Sequence, residues 1–145
     1  MAVTAAVGGA FLAAWGFAVL YQVPWVNTWV AGLVGAMAWW VAATLGGDGG
    51  QGLGSDFVGA LTVGVLAELA ARWRRTPATL FMVPGIIAFV PGLKAYQAML
   101  AILRGAYLKG LQMGMDAMLA AAALGLGLAV ATAVVRPLLR SGRPR

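Results

Sequence analysis

From Ala117 to Val135 the chain runs 19 residues without a charged side chain. A helix of about 20 apolar residues crosses a hydrocarbon core of ~30 Å, so this run reads as a membrane span. Lipid offers the backbone no hydrogen-bonding partner, and each N–H and C=O must be satisfied within the helix. The rest of the chain has the same character. Hydrophobic residues make up 62%, charged residues 10%, and mean hydropathy is +0.89, which leaves too few polar side chains to cover a water-soluble globule. The expectation is an all-α integral membrane protein, embedded in the lipid bilayer as a single transmembrane helical domain over residues 1–145.

Four segments have, or nearly have, the length to cross: about Val3 to Tyr21, Asn27 to Leu45, Asp56 to Arg72 and Asp116 to Val135. Asn27, and Ser55 or Asp56, are residue types that cap helix N-termini, and Val23-Pro24 suits a short connecting turn. The last span ends at Arg136-Pro137. The N-terminus lacks a basic leader region, so the first segment is expected to be a retained span. Gly46 to Gly54 is rich in glycine. With neither the Lys-Ser/Thr of a phosphate loop nor a preceding strand, it is expected to be an external linker.

Between the third and last spans lies a segment at about 77–104, which Thr76 opens as N-cap with Pro77 at the first helical position. It contains Val83-Pro84-Gly85-Ile86-Ile87-Ala88-Phe89-Val90-Pro91-Gly92, with two Pro-Gly pairs seven residues apart. Proline lacks a donor and clashes with the preceding turn, while glycine accepts dihedrals that other residues avoid, so both pairs are expected to interrupt the helix. Interrupted backbone at membrane depth is tolerated where it is buried in protein or lines a polar cavity. As one helix, Ala78 to Leu103 would measure ~39 Å, about 9 Å more than the core requires; as two crossings, each half would measure only ~20 Å. One interrupted crossing fits better, giving about five transmembrane helices. The positive-inside rule agrees, because a single crossing puts Arg72, Arg74 and Arg75 on the same cytoplasmic side as Arg136, Arg140, Arg143 and Arg145. The expected topology is N-out, C-in. Lys94, Arg104 and Lys109 then fall toward the outside and weaken the bias.

The net charge of +6 does not point to nucleic acid, because the cations sit at the ends of apolar spans and form no stripe. With neither cysteine nor histidine, the chain has no thiol nucleophile and lacks the commonest metal ligand. No nucleophile–base pair, metal constellation or nucleotide fingerprint can be assembled, so neither an enzyme nor a cofactor or metal is expected. Small residues four apart, as in Ala60 and Gly64, Ala67 and Ala71, and Gly110 and Gly114, suit close packing either within the bundle or against a second subunit. So small a bundle hardly encloses a substrate path alone, which favours an oligomer. Tyr21, Trp25, Trp29, Trp39, Trp40, Trp73 and Tyr107 fall near span ends, as an interfacial belt requires.

The groups left to carry chemistry are few. Glu68 lies within the third span, where it either pairs with Arg72 at i,i+4 or couples transport to protons as a desolvated carboxylate. Asp116 is either an N-cap or, if its helix begins near Ala106, a carboxylate ~15 Å into the span. Lys94 either snorkels to an interface or stands in the first turn after Pro91-Gly92, where freed donors favour an anion. Tyr96 follows the second break with a hydroxyl that suits a site there. In secondary transporters, half-helix ends of this kind hold carboxylates and coupling ions. The competing class is a non-transporting membrane scaffold whose breaks serve packing alone.

Ala71-Arg72, Arg75-Thr76-Pro77-Ala78 and the run from Val83 to Gly92 continuing through Leu93-Lys94-Ala95-Tyr96 resemble the threonine/serine exporter (ThrE) family, specifically its small, separately encoded YjjB-like membrane subunit. The length and span order are similar over the whole chain, whereas the distinctive motif covers about Ala71 to Tyr96. The resemblance implies a proton-driven secondary exporter of threonine and serine, or of a small dicarboxylate such as succinate, in the bacterial inner membrane. It also implies a larger partner subunit of the same family. Carried over by position, Pro84, Gly85, Pro91, Gly92 and Tyr96 match the motif. The chain departs at Ala88, where many relatives have another proline, and Lys94 is not a fixed member of the pattern.

Overall fold

A computed structural model describes residues 2–46 and 52–140; Asp48 and most of the glycine loop lie outside the described residues. Among the described residues all regular structure is helical: α1 (Ala2–Leu20), α2 (Trp25–Leu45), α3 (Leu53–Arg74), α4 (Thr79–Ile86), a 3-10 turn (Ile87–Phe89), α5 (Gly92–Leu103) and α6 (Tyr107–Arg140). Three helices, α2, α3 and α6 over Tyr107–Pro137, are long and apolar enough to cross a membrane. The pair Thr79–Phe89 and Gly92–Leu103, bent by 44°, makes a fourth if it is one span. α1 is apolar but shorter over Thr4–Leu20, so the expected fifth crossing falls a little short of the usual length.

The helix starts differ from the capping residues that the sequence suggests. α2 begins at Trp25 after Pro24, and Asn27 lies buried inside the helix, where its Oδ1 accepts a hydrogen bond from Arg74 Nε at 2.7 Å. Arg74 Nη2 donates to the Val26 carbonyl at 3.1 Å, so the end of α3 is fastened to the start of α2. α3 begins at Leu53 with Gly52 before it, which leaves neither Ser55 nor Asp56 as a cap. Thr76 and Pro77 precede α4 without capping it, and the Thr76 hydroxyl is buried without a partner. In each case a tertiary contact or burial claims the polar side chain that an isolated helix would use at its end. α3 stops at Arg75, which takes a left-handed conformation (φ 53°) while its N–H bonds the Ala71 carbonyl. This is the usual αL termination, here without glycine.

Small residues set the packing. Ala10, Ala14 and Ala18 of α1 are buried four residues apart; α2 sets Gly32 against the Phe11 ring and Gly35 against Ala14, where a methyl group would stand 2.6 Å from the Ala14 Cβ. α3 buries Ala60, Val63, Gly64, Ala67 and Ala71. On α6, Ala131 fills the space beside Gly64, and Gly127 lies so close to α3 that a Cβ there would reach the Phe57 carbonyl at 2.6 Å. Lipid tails are as apolar as leucine, so helix association depends on this close van der Waals fit. Ala60, Gly64, Ala67 and Ala71 thus pack within the chain, and Gly110 packs against Ala98 and Ile102 of α5.

These contacts also fix direction. Gly127 sits beside Phe57 and Leu61, Ala131 beside Gly64, and Arg136 beside Glu68, so the second half of α6 runs parallel to α3. Two parallel neighbours need an intervening return, which α4 and α5 provide. Arg72, Arg74, Arg75 and Arg136 consequently share one end of the bundle, which we call the arginine end. At 34 residues α6 measures ~51 Å, well beyond a hydrocarbon core of ~30 Å. Its first part pairs with α5 as a helical hairpin at the opposite end.

Candidate functional site

The two Pro-Gly pairs behave differently. Pro84 lies inside α4, which continues to Ile86 and then tightens into the 3-10 turn. The first pair therefore does not unwind the helix. Pro84 and Gly85 are buried between α2 and α3, and a Cβ on Gly85 would stand 3.0 Å from Val34 Cγ1 and 3.2 Å from Val63 Cγ1. Tertiary packing on both sides holds the backbone straight enough to keep its helical path. Phe89 closes this stretch, with its ring lying over Gly59 and 5.5 Å, centroid to centroid, from Trp39. The second pair is the real break. Val90 turns extended (φ −59°, ψ 125°), Pro91 precedes α5, and the new helix departs at 44°.

That departure places Lys94 in the first turn of α5, one of the two positions that its sequence context allows. Lys94 lines a cavity of about 400 Å3 together with Gly52 and Leu53 at the start of α3 and Met113, Asp116 and Leu119 of α6. Asp116 is nine residues into α6 and caps nothing; it faces the same cavity as Lys94. Neither side chain makes a hydrogen bond or ion pair among the described residues. A cation and a carboxylate therefore stand on the walls of one space, each available to a ligand.

One turn along α3 from Gly52 lies Asp56, only 7% exposed. Its backbone N–H bonds the Gly52 carbonyl at 2.9 Å, but its Oδ2 is sealed from solvent with no hydrogen-bond partner. Gly52, whose carbonyl its N–H reaches, lines the cavity together with Lys94. Beside Asp56, Ser55 Oγ donates to the Ala42 carbonyl at 3.2 Å and ties the start of α3 to the end of α2. The capping assignment hid Asp56. The signal that finds it is periodicity: Asp56, Ala60, Val63, Ala67 and Ala70 recur at alternating spacings of four and three, which puts the carboxylate on the buried stripe of α3.

The remaining candidates lie elsewhere. Glu68 is 12% exposed and accepts a 2.7 Å ionic hydrogen bond from Nε of Arg136, which is 56% exposed. This partner is on α6, across the helix interface, and not on the carboxylate's own helix. Pro91 and Gly92 line a larger groove, about 590 Å3, between α5 and α6, whose other walls include Ala98, Ile102, Leu111 and Met118. It has no charged residue. Tyr96 is 62% exposed on α5 and lines neither space. Among the described residues, no three His, Cys, Asp or Glu side chains gather as a metal site.

Comparison with known proteins adds one match. The family model described as threonine/serine exporter (ThrE) matches residues 6–134, nearly the whole chain. No curated protein and no solved structure matches it.

Proposed function

The chain belongs to the threonine/serine exporter (ThrE) family, whose members are transporters and not enzymes, and we propose that it is the membrane subunit of a proton-driven exporter of threonine, serine or a related small carboxylate such as succinate. It works with a larger partner subunit of the same family. The observation that carries the substrate assignment is the placement of unpaired Lys94 and Asp116 on one cavity beside the helix break. An amino-acid zwitterion has the matching pair of charges: its carboxylate suits Lys94 and its ammonium suits Asp116. A dicarboxylate would meet repulsion at Asp116, so the pair favours threonine and serine over succinate. A volume of about 400 Å3 is in the range of small-molecule sites. In this reading Pro91-Gly92 brings Lys94 to the cavity, and Pro84-Gly85 anchors the helix on which the break depends.

The chain lies in the bacterial inner membrane with five crossings, N-terminus outside and C-terminus inside; the parallel course of α3 and α6 supports the part of this reading that puts their arginine-bearing ends on one side. Both basic clusters then face the cytoplasm, as the charge rule requires, and the cavity opens toward the opposite side. Export of labelled threonine, serine and succinate from cells expressing this chain alone, and together with the product of the neighbouring gene, tests the reading. Threonine and serine are expected to leave faster than succinate in an energised cell. Equal efflux with and without the chain, in both settings, would favour a scaffold.

A further inference from the structure

We propose that Asp56 is the residue at which a proton is exchanged for the ligand held between Lys94 and Asp116, a role that rests on the exporter reading above. The chain has four carboxylates. Asp48 lies in the glycine loop outside the described residues, Glu68 is joined to Arg136, and Asp116 lines the cavity from an exposed position on α6. Asp56 alone among the described carboxylates combines burial with an oxygen that no donor reaches. An ionised carboxylate so placed is costly unless a nearby charge answers it or a proton neutralises it.

Few charges can provide that answer. α1, α2, α4 and the 3-10 turn contain no charged residue. On α3 the next ionisable group is Glu68, twelve residues or ~18 Å along the helix. α5 contributes Lys94, and α6 contributes Asp116, with Lys109 seven residues or ~10 Å before it. Arg104 lies at the far end of α5. The working cluster is therefore one cation with two carboxylates.

This ratio makes proton and ligand compete. When Asp56 is ionised, the cluster carries one excess negative charge; a zwitterion adds no net charge, but with its carboxylate on Lys94 and its ammonium at Asp116 it turns its positive end toward that excess. When Asp56 takes up a proton, Lys94 is left with Asp116 as its one opposing charge, and the two can satisfy each other without a ligand. The proton on Asp56 and the ammonium at Asp116 are alternative positive charges within one small cluster. No covalent bond is made or broken. Mutual exclusion of this kind is what an exchanger needs, because each step that loads one occupant releases the other.

Infrared difference spectroscopy on the full chain in lipid nanodiscs reads the protonated carboxyl group directly. Acidification is expected to raise a carboxyl C=O band that Asp56→Asn removes, Asp56→Glu restores at a shifted position, and Glu68→Gln leaves in place. Threonine or serine added at fixed pH should lower the band in the wild-type chain and release protons to the medium. In Asp56→Asn the same amino acids should bind with affinity that no longer changes with pH. An acid-induced band that survives in Asp56→Asn, or binding that keeps its pH dependence in that variant, overturns the proposal and leaves the exporter reading standing. Failure of the wild-type chain to bind any amino acid, both alone and reconstituted with the neighbouring gene product, removes the exporter reading instead, and the acid-induced band still decides whether Asp56 is the proton site. Asp56→Glu guards against a variant that misfolds.

Discussion

The two ends of this molecule use the same kinds of residue for opposite purposes. At the arginine end, charges and polar groups find one another: Glu68 holds Arg136 at 2.7 Å, and Arg74 reaches Asn27 and the Val26 carbonyl. At the hairpin end, Lys94, Asp116 and Asp56 share a small region without forming one hydrogen bond among their side chains. The two Pro-Gly pairs divide in the same way. Pro84-Gly85 is enclosed by Val34 and Val63 and keeps a helix, whereas nothing comes within 4 Å of a Cβ placed on Gly92. Paired charges hold one end together, although the Thr76 hydroxyl is buried there without a partner. Unsatisfied groups give the other end its capacity for a ligand.

The largest expected effect tests the open end. Lys94→Met removes the cation but leaves a side chain of similar length, and Lys94 is exposed, so unfolding should be unchanged. A charge-assisted hydrogen bond to a ligand carboxylate contributes about 1.5–3 kcal/mol, so threonine affinity should fall roughly tenfold to a hundredfold in a direct binding assay. Unaltered affinity would mean that the two ends do not differ as described. The next effect tests the closed end. Gly85→Leu forces side-chain atoms into space already held by Val34 Cγ1 and Val63 Cγ1, and overpacking of that kind costs about 1–3 kcal/mol. A clear drop in thermal stability in detergent is expected.

Much of this contrast was legible in the sequence, though unevenly. Apolar length predicts a helical membrane bundle and the Pro-Gly pairs an interrupted segment, because lipid restricts the backbone to few solutions; of the five expected spans, three or four among the described residues have the length to cross. For Lys94 and Asp116 the residues leave two positions each, and the structure has Lys94 in the first turn of α5 and Asp116 inside an α6 that starts early. The equivalence of the two Pro-Gly pairs did not survive. Local chemistry is the same at Pro84 and Pro91, and the difference arises from Val34 and Val63, which approach only after the chain has folded. Asp56 was missed for a related reason: an acid at a helix start reads as a cap, and only the stripe through Ala60, Val63 and Ala67 reveals that it points inward.

A smaller effect probes the paired charges. Glu68→Gln keeps an acceptor for Arg136 but removes the ionic component of their contact. Arg136 is more than half exposed, so solvent already screens the pair, and the stability lost should be about 0.2–1 kcal/mol. Transport should retain its dependence on the proton gradient, measured as threonine efflux with and without an uncoupler. Loss of that dependence would move proton coupling to the arginine end and reverse the assignment of roles.

The smallest effect is expected at Gly92, and it tests whether the second break depends on glycine at all. Gly92 has no positive φ among the backbone exceptions, it is the first residue of α5, and its Cβ position is open. Alanine there meets no neighbour and limits the freedom of the unfolded chain, a gain of about 0.4–1 kcal/mol where the native conformation permits it. Gly92→Ala should therefore be neutral or slightly stabilising, whereas Gly85→Leu, in a pair of identical composition, is damaging. The bend of 44° should persist, because it follows from the extended Val90 and from the missing donor of Pro91 and owes nothing to glycine. Spin labels placed on α4 and α5 of this naturally cysteine-free chain measure it as an inter-helix distance. A distance shift in Gly92→Ala would show that glycine helps to set the break; an unchanged distance, with a shift in Pro91→Ala, would assign the break to proline.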